Sequence, residues 1–312
     1  EIAIDNINDP NDTRIIGTRY SSITSGRGSL PIKLSTLNPN FAAMMVEFYN
    51  EAGLAYGDHI AIGATGSFPA LNIASCAAAE VMGLKVSFIN SITSSSWGAN
   101  DPNYSFVDMH SSLVEAGLLS DPIIAASIGA SQDIGRTLSG EGRSDAIEAM
   151  RRNGIQFIDG QSVADNINQR LDLLSAREQS LTRDISLYVN IGGGVASFGS
   201  DKNESTLPSG LISEPKLDLF RDKQGMLFEM ASRGIPLINL RNIQVLMDRF
   251  GFPLDPVPLP LPGEGTLYYD LQYDLRYVFG ATAILVLLIF GIIVFDRNQN
   301  ALGKTILKTE NS

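Results

Sequence analysis

The chain has 312 residues, 44% of them hydrophobic, with one cysteine and a formal net charge of −11. Length and apolar content suffice for one large core or two small ones, while the acidic balance argues against nucleic acid, whose phosphates need a basic face. A single cysteine, Cys76, excludes an internal disulfide framework and, within the small-residue stretch ASCAAAE, reads as a packed structural thiol.

The chain opens at Glu1 rather than a methionine, so a signal or anchor segment is expected ahead of it. The first element read from the residues is a helix in NPNFAAMMVEFYNEAG, opened by Asn38 and Pro39 and stopped at Gly53. A strand follows at 60–62, then a helix over 68–82 halted by Gly83, and a strand at 85–90. FVDMHSSLVEAG predicts a helix ending at Gly117, with a strand at 123–128 behind it. The same alternation continues through a helix at 144–152, strands at 155–158 and 185–191, a helix at 221–233, a strand at 235–240 and a helix at 243–249. Short apolar runs separated by amphipathic helices predict an α/β fold: a parallel, Rossmann-like layered sheet with helices on both faces.

The strands end in small, polar loops: GATGS, NSITSSSWGAN, GASQD and NIGGGVAS. In open α/β sheets, ligands bind outside the carboxyl ends of the strands. The candidate ligand-binding residues are therefore Gly63, Thr65, Gly66, Ser96, Trp97, Asn100, Ser131, Asn190, Gly192, Gly193 and Gly194. Their chemistry is generic, since free amides and helix N-termini suit a carboxylate as well as a phosphate. Neither the Walker loop nor the dinucleotide fingerprint G-x-G-x-x-G is present. The plainer reading of Ser67 is an N-cap for the next helix. The plainer reading of Trp97 is a buried ring pinning a loop, although its position at the ligand edge favours a site.

Hydrolytic chemistry has few histidines to draw on. His59 precedes its strand and falls at the wrong end of the sheet, and His110 lies inside a helix. A Ser67–His110–Asp101 triad lacks the nucleophile elbow G-x-S-x-G. Ser67, Asp101 and Asp133 remain the catalytic candidates, the last two as an acid–base pair if their loops meet. No residue spacing suggests a metal site, and no cofactor is implied.

Toward the C-terminus, GFPLDPVPLPLPGEG predicts an extended segment that either stands the globule off a membrane or lies along its surface. The 19 residues YVFGATAILVLLIFGIIVF at 277–295 carry no charge and no proline, and span the ~30 Å hydrocarbon core of a bilayer as a helix. Tyr268, Tyr269, Tyr273 and Tyr277 suggest an interfacial belt. The expected organisation is an extracytoplasmic domain at 1–250, a Pro-rich juxtamembrane segment at 251–276, a transmembrane helix at 277–295 and a cytoplasmic tail at 296–312. Arg297, Lys304 and Lys308 after the apolar run, against Arg276 before it, set that orientation in a cell membrane. The tail holds three basic and two acidic residues, so residues 1–295 keep 20 of 23 basic and 32 of 34 acidic side chains.

Taken together and in order, NPNFAAMMV, GATGSFPALNIA, SSSWGANDPNYSFVDM, GASQDIGR and NIGGGVASFG resemble the poly-gamma-glutamate system proteins, over roughly residues 20–240. The apolar C-terminal helix is not part of that resemblance. It implies a bacterial membrane protein that accompanies the ligase and export components of poly-γ-glutamate (capsule) synthesis. Its expected partners are the anionic polymer, the membrane and other subunits of the complex. A hydrolase or transferase acting on γ-glutamyl bonds, and a purely structural subunit, are the alternatives. An acidic chain repels a polyanion, so local arginines would have to offset it; Arg27, Arg136, Arg143, Arg151 and Arg152 are the candidates, the last two reading more simply as a solvated helix face.

Overall fold

The computed structural model describes Asp5, residues 7–268 and residues 275–309. They form two compact units divided at Tyr268. The larger is an α/β domain on a seven-stranded sheet. Its strands are β1 (His59–Thr65), β2 (Lys85–Ser91), β3 (Ile123–Ser127), β4 (Gln156–Phe157), β5 (Ile185–Ile191), β6 (Gly210–Ile212) and β7 (Leu237–Leu240). The order across the sheet is β6-β7-β5-β1-β2-β3-β4, parallel throughout except for β6 at one edge. The expected α/β class with a layered parallel sheet is what the structure shows.

Parallel strands covered on both faces must be apolar on both. In β1, Ile60, Ile62 and Ala64 enter one core and Ala61 the other. The first core is built with α2 (Phe41–Glu51), α3 (Pro69–Val81), α4 (Phe106–Glu115), α5 (Gly140–Arg152) and α8 (Ile243–Phe250). The second is covered by α6 (Val163–Leu181) and α7 (Met226–Ser232). A short helix, α1 (Leu30–Ser35), precedes them all. Cys76 is buried on α3, and desolvation pushes its thiol well above the ordinary range, as suits an inert packing residue.

Neither α1 nor α6 is among the elements expected from sequence. The buried positions of α6 are Asn166, Ile167, Arg170 and Leu174. They share one face at helical spacing, but two are polar, which hides the apolar period.

The Pro-rich segment lies along the globule. Phe252 packs edge-on against Phe41, ring centroids 4.6 Å apart, and Asp255 N–H donates to Ser35 Oγ at 2.8 Å. Asn40 bonds the segment twice, donating to the Leu261 carbonyl at 3.0 Å and accepting from Gly263 N–H at 2.9 Å. The compact unit therefore runs past the expected boundary at 250 to Tyr268, and of the two readings of this segment the stand-off is the one the contacts disfavour.

The second unit contains α9 (Leu275–Thr309). Its first 21 residues, Leu275–Phe295, contain an 18-residue window of mean hydropathy 2.9 and are long and apolar enough to cross a membrane. The helix continues to Thr309 through the expected tail. Of the tyrosine belt, Tyr269 and Tyr273 lie outside the described residues.

Candidate functional site

The chain lays down β1 to β4 in one direction, then crosses back to place β5 on the other side of β1. The strand order reverses between β1 and β5, and a crevice opens there at the carboxyl edge. A cleft of about 500 Å³ occupies this position. Thr65 and Ser67 line it from β1, Ser91 and Thr93 from β2, Ser131 and Asp133 from β3, and Gly193 and Gly194 from β5.

The segment 24–33 closes the cleft from above. Thr24–Gly26 pairs in parallel with Ser94–Ser95, and Arg27, Gly28, Ser29 and Lys33 then run over the opening. Lys33 is 2% exposed. Its ammonium donates to Ser95 Oγ at 2.9 Å and to the Ser67 carbonyl, and sits 3.8 Å from the centroid of Phe68. It makes no ion pair among the described residues. Burial without a carboxylate lowers its pKa from 10.5 to about 7. Ser67 Oγ in turn accepts from Ser95 N–H at 3.0 Å, which ties the loops after β1 and β2 together beneath the lysine.

A second buried cation lies below. Arg170 of α6 meets Asp133 at 2.7 Å, with Asp133 1% exposed. The Asp133 carboxylate also accepts from Ser127 Oγ at 2.8 Å, Ser91 Oγ at 3.1 Å and Asn166 Nδ2 at 3.0 Å. Arg170 donates to Ser127 Oγ at 2.8 Å. This network holds an unusual backbone. Gly129, Ala130, Gln132 and Asp133 all have φ between 59° and 84°, and Ala130, at ψ −155°, occupies a region otherwise reserved for glycine. Each of the three non-glycine residues costs about 1–3 kcal/mol and persists where its surroundings over-determine it.

The expected residues divide clearly. Thr65, Ser67, Ser131, Asp133, Gly193 and Gly194 line the cleft; Gly63, Gly66, Ser96, Trp97, Asn100, Asp101, Asn190 and Gly192 do not. Gly63 is inside β1, where a Cβ would fall against the Tyr188 hydroxyl, so its role is packing. Gly66 allows a close approach to the Ile92 carbonyl, and Gly192, at φ 93°, leaves room for Thr65 Oγ1. Asn190 donates to the Gly192 carbonyl at 3.1 Å and to Asn239 Oδ1 at 2.9 Å, shaping the loop from behind.

The stretch around Trp97 serves the N-terminal segment. Asn100 is fully buried, accepting from Thr18 N–H at 2.9 Å and donating to Thr24 Oγ1 at 2.9 Å. Ser96 N–H donates to the Gly26 carbonyl and Trp97 N–H to that of Thr18, both at 2.9 Å. Asp101 accepts from Asn103 N–H at 2.8 Å in a local turn and does not join Asp133 in lining the cleft. These residues hold the covering segment in place.

Neither histidine reaches the cleft. His59 begins β1 at the opposite edge, its Nε2 2.7 Å from Ser87 Oγ. His110 is buried against Phe88 and Phe106, and desolvation lowers its pKa to about 4. The triad with Ser67 is not assembled. Among the arginines weighed for an anion, Arg27 and not Arg136, Arg143, Arg151 or Arg152 lines the cleft; Arg151 pairs with Glu148 and Arg152 with Asp108. Arg241 also lines it, paired with Glu204.

Sequence reasoning missed Lys33, Ser95, Arg170 and Arg241. One signal for Lys33 was available: a single charge amid the apolar residues of LPIKLSTL. Comparison with known families gives no matching family model, and no curated protein matches the sequence.

Proposed function

We propose that the α/β domain binds a carboxylate-bearing polymer in this cleft, and that the chain is a membrane-anchored accessory of poly-γ-glutamate synthesis or export. One observation carries the reading. In a chain of net charge −11, Arg27 lines the cleft with no ion pair among the described residues and Lys33, titrating near 7, lies beside it, while Arg241 is paired with Glu204 and the lining carboxylate Asp133 with Arg170. Hydroxyls of Ser25, Thr65, Ser67, Thr93, Ser95 and Ser131 surround them. Cations with many small donors suit a carboxylate, and the surrounding acidic surface is screened beyond ~8 Å at physiological salt. The motif resemblance supplies the γ-linked polymer as the candidate anion. The basic residues after the apolar helix support an extracytoplasmic domain.

The test is binding of fluorescent γ-linked polyglutamate to the full chain in detergent micelles. Arg27→Glu is expected to weaken it about 10-fold or more, the scale of one charge-assisted hydrogen bond. Equal binding of neutral dextran, or indifference to the substitution, would sink the proposal. Orientation is read separately, by labelling Ser213→Cys in intact cells with an impermeant maleimide. Labelling is expected; protection would reverse the topology.

A further inference from the structure

The buried lysine carries more than charge. A structural buried cation is normally paired, as Arg170 is. Lys33 instead points its ammonium at two neutral oxygens, one of them the hydroxyl of a serine that lines the cleft. A serine with an amine in hydrogen-bond reach, in a crevice at the strand-order reversal, is the geometry of an activated nucleophile.

We propose that Ser95 Oγ is a nucleophile and Lys33 Nζ its general base, together hydrolysing an amide whose neighbouring carboxylate is held at Arg27. With Lys33 neutral, the 2.9 Å separation lets the Ser95 hydroxyl donate to the amine. The hydroxyl proton passes to Nζ as Oγ bonds to the amide carbon. Collapse of the tetrahedral adduct breaks the C–N bond, and the leaving amine takes the proton back from Nζ. An ester on Ser95 remains. Water then adds to it, giving its proton to Nζ; the C–Oγ bond breaks, Oγ recovers that proton, and a carboxylic acid leaves. The net reaction is amide plus water to acid plus amine, with no other reactant. Gly193 and Gly194 line the same space, and their amides are the candidate donors for the transient oxyanion.

The surroundings keep this base available. Phe68 covers Lys33 on one side and Gly28 approaches its stem on another. The charged groups on neighbouring elements are Arg27 of its own segment, Arg241 after β7, Glu204 beside Gly193, and Asp133 after β3; both carboxylates are committed to arginines, Glu204 to Arg241 and Asp133 to Arg170. Desolvation accordingly places the amine's titration near neutrality. Ser67, the nucleophile expected from sequence, instead receives the Ser95 amide at its Oγ and offers Lys33 its carbonyl.

The inference shares the cleft with the binding proposal but is read by its own experiment. The full chain in detergent micelles is treated with an alkyl fluorophosphonate, and the modified residue is mapped by mass spectrometry. An adduct on Ser95 is expected, forming faster as pH rises from 6 to 8 and absent in Ser95→Ala. Lys33→Arg keeps the charge and removes the base, and should slow labelling about 100-fold or more. If that variant does not fold, the pH dependence of the unsubstituted chain stands as the test. No adduct on Ser95 up to pH 9, an adduct on Ser67 instead, or a rate indifferent to Lys33→Arg would overturn the dyad. The same preparation is then given γ-linked polyglutamate. Shortening abolished by Ser95→Ala supports the amide assignment; labelling without shortening overturns it. Polymer binding, measured independently, stands or falls on its own.

Discussion

Two cations are buried at the same cleft, and they are held differently. Arg170 comes up from α6 and meets a carboxylate, a hydroxyl and its own helix's carbonyl at Asn166. Lys33 comes down from the covering segment and meets a hydroxyl and a carbonyl, with no carboxylate partner among the described residues. The first arrangement satisfies a charge and fixes a strained loop. The second leaves a proton weakly held beside a serine. The difference teaches where to look for chemistry: at the buried charge that the fold has not neutralised.

Breaking the satisfied side should have the largest effect. Arg170→Met leaves the buried Asp133 carboxylate without its cation, with only neutral donors around it, and releases the turn at 129–133. Removing one partner of a buried pair costs about 3–5 kcal/mol, and denaturant unfolding is expected to register a loss of that size. A loss below about 1 kcal/mol would mean that the pair is not what holds the loop.

The unsatisfied side should show itself through pH. Lys33 titrates near 7 in the folded chain and at 10.5 when unfolded. Between those values the unfolded chain binds more protons, so this residue makes stability rise with pH across the window. At about 1.4 kcal/mol per unit the full rise is on the order of 3–5 kcal/mol. Unfolding of the unsubstituted chain and of Lys33→Met is compared at pH 7 and pH 9.5. The unsubstituted chain is expected to gain on the variant; parallel behaviour would show that the amine is not buried alone. His110 has the same sign at lower pH, since its folded value near 4 makes it oppose folding as pH falls below 6.5.

How much of this was legible in the sequence follows from what each residue does locally. β1, β3 and β5 are short, largely apolar runs each followed within two residues by glycine (Gly66, Gly129 and Gly192), so the fold class and the carboxyl-edge loops could be read directly. Six of the expected residues do line the cleft. The position of Trp97 and Asn100 on a loop at the carboxyl edge points to ligand contacts, but their partners, Thr18 and Thr24, are about 80 positions away in the chain. Such long-range pairing leaves no periodic trace. Arg170 was hidden for a related reason: a polar side chain on a helix's buried face reads as a solvated one until Asp133 is placed opposite.

Gly63→Ala tests the packing beneath Arg170. A Cβ there presses on the hydroxyl of Tyr188, whose ring is 2% exposed. Overpacking of this kind costs about 1–3 kcal/mol. Adding Tyr188→Phe removes the obstructing oxygen and should recover part of the loss, a coupling that a double-mutant cycle reads. Independent, additive losses would separate Gly63 from Tyr188.

The smallest change asks whether the two cations depend on each other. Ser162 caps α6, its Oγ accepting from Asp165 N–H at 3.1 Å. Ser162→Ala should cost about 1 kcal/mol by loosening the helix that carries Arg170. Lys33 hangs from a different segment, held by Ser95 and Ser67 rather than by α6. The pH-dependent gain between 7 and 9.5 should therefore persist unchanged in Ser162→Ala. If the capping change also flattens that gain, then the buried ion pair below sets the environment of the lysine above, and the cleft behaves as one electrostatic unit rather than as an anchor with a separate reactive group.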